Sequence, residues 1–302
     1  MKLASTTCDF EFCPTDYPER ITHLYNAGFR HIDLNMMDPK PDDPLIFADD
    51  WQQTAKALLT QAQSLGMDFV QAHAPGDNPI SPFNADYTAR VIRSIEVCAY
   101  LGIKNTVIHP GSLPDISKEE CFERNRAFFR TILPTAEGYG VNILVENMYR
   151  VGDSDEYNLY TGADQREFIE FVNHPLLHAC WDTGHGNMDG LQYDHITALG
   201  EHLYALHVND NRGEKDEHLA PYMGILNLDD LMCALLDIGY QGYFTFEAVT
   251  ALHPANYWFD TRYEFPRFTR LVAPSPEVYE AYDTFLCRLG KHILTTYDCF
   301  EE

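Results

Sequence analysis

Short apolar runs rich in β-branched and aromatic residues alternate with amphipathic stretches along almost the whole chain. The runs are Leu3–Phe10, His31–Asn35, Asp68–His73, Asn105–His109, Asn142–Glu146, His178–Asp182, Tyr204–Val208 and Tyr243–Glu247. Several are continuous rather than alternating, such as Ile143-Leu144-Val145, as strands covered on both faces require. Strands separated by helical stretches predict βαβ units and a parallel sheet. Helix starts are legible between them. Ser117 followed by Glu120 reads as a capping box, Asn227 precedes two acids of a first turn, and Ser275-Pro276 opens a terminal helix. Gly28, Gly66, Gly102, Gly140 and Gly239 each stand just before a strand, where a helix needs a left-handed cap.

Eight strand-and-helix units in 302 residues predict a single (β/α)8 TIM barrel, one domain spanning 1–302 with a C-terminal helix at about 275–297. Three segments break the rhythm: 36–50, 148–161 and an aromatic-rich excursion at about 250–274 that carries Tyr257, Trp258, Phe259, Tyr263, Phe265 and Phe268. All follow strands, so they belong to the C-terminal face, where such barrels keep their active sites.

Composition narrows the function. A formal charge of −25, with Lys and Arg scattered, sets the surface against a polyanion, so nucleic acid is not an expected partner. No apolar run reaches the roughly 18 residues that span a bilayer, and the N-terminus turns polar at once, so neither a membrane span nor a secretory signal is expected. The eight cysteines form no C-x-x-C pair and sit mostly in apolar segments, which predicts free thiols and a cytoplasmic location.

The chemistry lies at the strand ends. From the third strand onward each run closes on His, Asp or Glu: His73, His109, Glu146, Asp182, His207 and Glu247. A carboxylate ending an apolar run is costly to bury unless it is paired or bound to a cation. Parallel barrel strands all point the same way, so these groups converge on one axis and call for a divalent metal ion. Mixed oxygen and nitrogen donors suit Mn, Co, Mg or Zn.

Three stretches carry a family resemblance: Val145-Glu146-Asn147, Trp181-Asp182-Thr183-Gly184-His185, and His207 through Asp216-Glu217-His218-Leu219. With their order and strand-end placement, the chain resembles the xylose isomerase-like barrels over about residues 3 to 250. That group includes sugar phosphate isomerases/epimerases, ketose 3-epimerases and the apurinic endonuclease branch. The resemblance implies a one-metal set of Glu146, Asp182, His207 and Glu247, with the two glutamates as the proton-transfer pair. It also implies substrate contacts from His185 and Arg212. His73, His109, Asp216 and His218 match the extra ligands of the three-zinc endonuclease branch, leaving room for a second or third ion. The chain departs from the patterns at Asn147, where the ketose epimerases usually carry proline, and at Gly152, where a second substrate glutamate is sought. The function expected first is sugar or sugar phosphate isomerisation or epimerisation, by proton transfer next to a metal-bound carbonyl. Alternatives are a metal-dependent lyase or dehydratase on an oxo-sugar or polyol, and multi-zinc phosphodiester hydrolysis. A small sugar is the expected partner, and homo-oligomerisation stays open.

Overall fold

The structure is a computed structural model. It describes residues 1–10, 15–82, 86–149, 159–249, 252 and 274–302. Eight parallel strands alternate with helices: β1 Lys2–Thr6, α1 Tyr17–Ala27, β2 His31–Asn35, α2 Trp51–Ser64, β3 Asp68–His73, α3 Tyr87–Leu101, β4 Asn105–Ile108 and α4 Lys118–Tyr139. The second half runs β5 Asn142–Glu146, α5 Gly162–Val172, β6 Leu177–Asp182, α6 Thr183–Asn187, α7 Gln192–Leu199, β7 Leu203–His207, α8 Leu228–Asp237, β8 Tyr243–Phe246 and α9 Pro276–Thr296. Strand order is β7-β6-β5-β4-β3-β2-β1-β8. The ring is completed by a parallel bridge between Val208 and Phe246, where the Val208 amide donates to Thr245 O at 2.7 Å. This is the (β/α)8 barrel that the hydrophobic pattern predicts.

The helix ends follow the local chemistry. Ser117, Thr161 and Asn227 each accept a hydrogen bond from the amide three residues on. The five glycines singled out in the sequence all take positive φ, Gly140 at 66° for example, which a side chain would strain. The first strand is shorter than its apolar run. It stops at Thr6, and Thr7–Phe10 form a 3-10 turn that buries Asp9.

Two hydrophobic layers hold the barrel. The larger packs helices against the outer faces of the strands and includes Trp181, Phe129, Phe168 and Phe244. The smaller comprises Val107, Leu144, Cys180 and Ala205. Side chains alternate along a strand, so these four lie one inward step below His109, Glu146, Asp182 and His207. On the opposite side the same step is polar: Asp33, Gln71 and Thr245, with Thr245 Oγ1 donating to Gln71 Oε1 at 3.1 Å. The floor of the site is therefore half apolar and half polar.

Register breaks at two places. Between Ile32 and Asp33 of β2 the facing strand passes from Phe69 to Gln71, leaving Val70 as an extra residue on β3. Between Ala179 and Cys180 of β6 the facing strand passes from Leu203 to Ala205, leaving Tyr204 extra on β7.

The C-terminal helix α9 packs on α1 and returns to the mouth of the barrel. Tyr282 donates to Ala248 O at 2.8 Å and Tyr279 to Leu252 O at 2.6 Å. Asp283 of α9 is buried against Asp9. The aromatic excursion named from the sequence lies outside the described residues apart from Leu252 and Pro274, as do Gly152 and Cys13. Among the described residues, no helix is long and apolar enough to cross a membrane. Seven of the cysteines are described and all are free thiols; Cys98, Cys121, Cys180 and Cys287 are buried, and Cys233 is exposed.

Candidate metal centre

The strand ends bring the acids and imidazoles of the sequence pattern together at the C-terminal face. Three groups of side chains each place their donor atoms within 4.8 Å of one another: Glu146, Asp182, His207 and Glu247; His73, Glu146 and His207; and His185, Asp216 and His218. Glu146 joins the first two. Its Oε1 lies 2.7 Å from His207 Nδ1, while Oε2 lies 3.2 Å from His73 Nε2 and 2.9 Å from His109 Nε2. Glu247 Oε2 is 3.3 Å from His207 Nδ1. In the third group Asp216 and His218 come from the loop after β7 and His185 from α6; Asp216 Oδ2 sits 3.3 Å from His185 Nε2 and 3.1 Å from His218 Nε2.

Hydrogen bonds behind the rings test whether this set fits a metal. His73 Nδ1 donates to Ala74 O at 2.7 Å, His185 Nδ1 to Asn147 O at 2.7 Å and His218 Nδ1 to Glu247 O at 2.9 Å. With the proton held on Nδ1 by a carbonyl, a neutral imidazole presents its Nε2 lone pair forward, an assignment inferred from the acceptors. Those lone pairs then face carboxylate oxygens, and His73 Nε2 faces His109 Nε2 at 3.2 Å. Electron pair against electron pair is repulsive unless a cation lies between them. The donor set fits a divalent ion, or more than one, and this is the outer-sphere support metal-binding histidines ordinarily have.

Without a cation, protons must serve as counter-charge, and the titration shifts show it. Burial alone would raise the Glu146 carboxyl, but the imidazoles of His207 and His109 hold it well below the usual carboxylate range. Glu247 moves the other way: burial, with repulsion from Glu146, outweighs the pull of His207 and His218 and raises it. Burial opposes charge on His185, yet Asp182 and Asp216 push it up to about 10. His218 is raised well above the histidine range by Asp216 despite its burial. His109 lies 2.9 Å from the Glu146 carboxylate, yet burial, with His73 and His185 adding to it, outweighs that pull and lowers it.

Two asparagines to which the sequence reading gave no role in the site build the frame around Asp182. Asn147 Oδ1 accepts from the Asp182 amide at 2.6 Å and its Nδ2 donates to Asp182 O at 2.9 Å. Asn209 Nδ2 donates to Asp182 Oδ2 at 2.7 Å, while Asp182 Oδ1 caps the short α6 through the His185 amide at 2.7 Å. Both follow a strand-end ligand directly or by two residues, and that position was the available signal.

Above the ligands lies a cavity of about 290 Å³. Asn35, Met37, Met148, Tyr149 and Val249 line it alongside Glu146, Glu247, His185 and Asp216, and no Lys or Arg is among the described residues that line it. Arg212, expected at the substrate, lies elsewhere. Its side chain is 63% exposed and its guanidinium pairs with Glu217. The acidic neighbour five residues on captured it, which spacing could not reveal. Arg150 and Arg262 fall outside the described residues. A larger cavity of about 530 Å³, between α1 and the loop after β2, holds Arg20 and Lys40 but none of the ligands.

A family model described as xylose isomerase-like TIM barrel matches residues 21–262, about four-fifths of the chain. The chain belongs to this family. Protein y4fM of Sinorhizobium fredii is 24% identical over 269 residues, covering 76% of this chain and 82% of that one. A probable endonuclease 4 of Mesomycoplasma hyopneumoniae (strain J) is 27% identical over 183 residues, covering 56% of this chain and 64% of that protein's length. Among solved structures, D-psicose 3-epimerase with D-tagatose from Clostridium cellulolyticum H10 superposes with a TM-score of 0.74 at 19% identity, over 97% of this chain and 99% of that one. At that identity the likeness establishes the xylose isomerase-like fold.

Proposed function

We propose that this barrel is a divalent-metal-dependent isomerase or epimerase of a small, unphosphorylated sugar. The observation that carries the reading is the cavity: it is monosaccharide-sized, is lined by Glu146 and Glu247, and has no Lys or Arg among its described lining residues. A phosphate or a polyanionic strand would want Arg or Lys there, and the net charge of −25 weighs the same way. The solved structures that superpose on the chain, D-psicose 3-epimerase among them, favour a ketose as the substrate class.

A divalent ion held by Glu146, Asp182, His207 and Glu247 supplies Lewis acidity, which lowers the barrier to removing a proton beside a carbonyl. The remaining work falls to side chains. Glu146, kept as carboxylate, and Glu247, pushed toward its protonated form, reach the cavity from non-adjacent strands, an arrangement in which one takes a proton and the other returns one. His185, fixed by Asn147 O, offers Nε2 to a substrate oxygen or to a second ion. Met148, Tyr149 and Val249 exclude water from one wall.

A second reading has its own support. Glu146 engages both oxygens, one toward His207 and the other toward His73 and His109, as a bridging carboxylate in a multi-ion centre would. Together with the Asp216 group and the endonuclease 4 relative, this favours phosphodiester hydrolysis. One experiment separates the readings: metal content by elemental analysis, with turnover of a ketose and oxo-sugar panel in D2O followed by NMR. Isomerisation or epimerisation washes deuterium onto the carbon beside the carbonyl, and a lyase gives an unsaturated product. Near three zinc equivalents with cleavage of abasic-site DNA and no sugar turnover would replace the first reading with the second.

A further inference from the structure

Three of the five histidines of the centre, His73, His185 and His218, are anchored from behind by a backbone carbonyl; His207 is not. His207 turns its ring the other way, presenting Nδ1 to Glu146 and Glu247, so its proton must sit on Nε2 if Nδ1 is to hold a cation. That nitrogen is buried and has no hydrogen-bond partner. The group facing it is Asp33, whose Oδ2 lies 3.6 Å away. Both side chains are fully buried, and neither Asp33 oxygen has a hydrogen-bond partner. Asp33 lies at the register break between β2 and β3, and such bulges re-aim side chains next to active sites. The other polar side chain beside the ring is Cys180, whose thiol burial pushes up to about 12, leaving it a neutral and weak acceptor.

We propose that Asp33 is the positioning residue of His207: its carboxylate accepts the Nε2 proton, fixes the tautomer that frees Nδ1, and so sets the affinity of the centre for its cation. Asp33 does for this ring what Ala74 O, Asn147 O and Glu247 O do for His73, His185 and His218. It differs in being an ionisable side chain. A buried carboxylate behind the imidazole raises the basicity of the forward nitrogen as well as orienting it. The inference rests on the metal-site reading above but does not depend on which reaction the centre catalyses.

The test is zinc affinity by competition against a chromophoric chelator, with ¹⁵N-histidine spectra of the zinc-free protein. Asp33→Ala is expected to weaken zinc binding about 10- to 100-fold and to move the His207 proton toward Nδ1. Asp33→Asn, the same size and still able to accept through its amide oxygen, should fall between parent and alanine variant. Cys180→Ala should leave affinity close to the parent's. If the alanine variant does not fold, the asparagine variant with unchanged circular dichroism must still bind zinc more weakly. Parent-like affinity in the folded Asp33 variants overturns the proposal, as does a larger loss from Cys180→Ala. A parent protein that binds no zinc overturns the site reading itself and the role of Asp33 with it.

Discussion

Asp9 and Asp283 put two carboxyl groups in contact away from water, with no cationic side chain hydrogen-bonded to either among the described residues. Burial is the main reason that Asp9 rises from 3.8 to about 7, with Glu247 adding to it and contacts from Asp283 and Ser5 offsetting part. Burial and Asp9 together raise Asp283 well above the carboxylate range. The folded chain therefore keeps two protons that the unfolded chain gives up near pH 4, so unfolding releases protons and stability falls as pH rises. Each such group contributes a slope of ~1.4 kcal/mol per pH unit between its unfolded and folded values. Between pH 5 and pH 7 the pair removes about 5 kcal/mol of stability relative to ordinary surface carboxyls. Asp283→Asn deletes one of the two slopes, and its amide can donate to Asp9, which lowers the other. The loss over that interval should shrink by more than half. Urea unfolding of parent and variant at pH 5, 6 and 7 measures it, and the histidine centre, common to both, cancels in the comparison. Parallel pH dependences would refute the shared-proton account of this contact.

Other expectations follow from the centre. Glu146→Gln and Glu247→Gln should each lower turnover by about 10²- to 10⁴-fold, since an amide takes no proton; metal content measured on the same samples separates lost chemistry from lost metal. Gly184→Ala would drive a Cβ to 1.8 Å from Asn209 Oδ1, displacing the side chain that holds Asp182, so zinc affinity and thermal midpoint should both drop. Arg212→Ala should change kcat and stability little, at most ~1 kcal/mol, because among the described residues its guanidinium makes an exposed ion pair with Glu217; a large loss of turnover would return Arg212 to the substrate. Zinc at about 100 times its Kd should raise unfolding free energy by ~2.7 kcal/mol, read as a shift in denaturant midpoint that chelator reverses.

From the third strand onward the strands were legible because each apolar run carries a candidate ligand at its end, and the glycine caps marked where helices stop. The excess at the first run was not. Thr7–Phe10 keeps an apolar, β-branched character, and only the burial of Asp9 against a helix more than 270 residues away explains why the chain turns there. Within the site, residues that reach the candidate metal centre by their own strand could be read from position. Those that act through a partner could not. Asp33 sits in the middle of His31-Ile32-Asp33-Leu34-Asn35, where an acid could equally be a solvent-facing strand residue, and nothing local connects it to His207. Arg212 is the converse case: its guanidinium pairs with Glu217, a contact that spacing alone did not reveal.

The extra residues Val70 and Tyr204 each precede by three positions a histidine of the centre, His73 and His207, whose rings stack with centroids 5.6 Å apart. Inside and outside on a strand are a matter of odd and even. Removing Val70 or Tyr204 would restore a regular ladder while handing the histidine beyond it to the opposite side of the wall. Single-residue deletions here thus act as parity switches: they leave every ligand in the sequence and take one out of the barrel. The centre can be tuned gradually by substitution, but along these two strands a change of length can only keep it or abolish it.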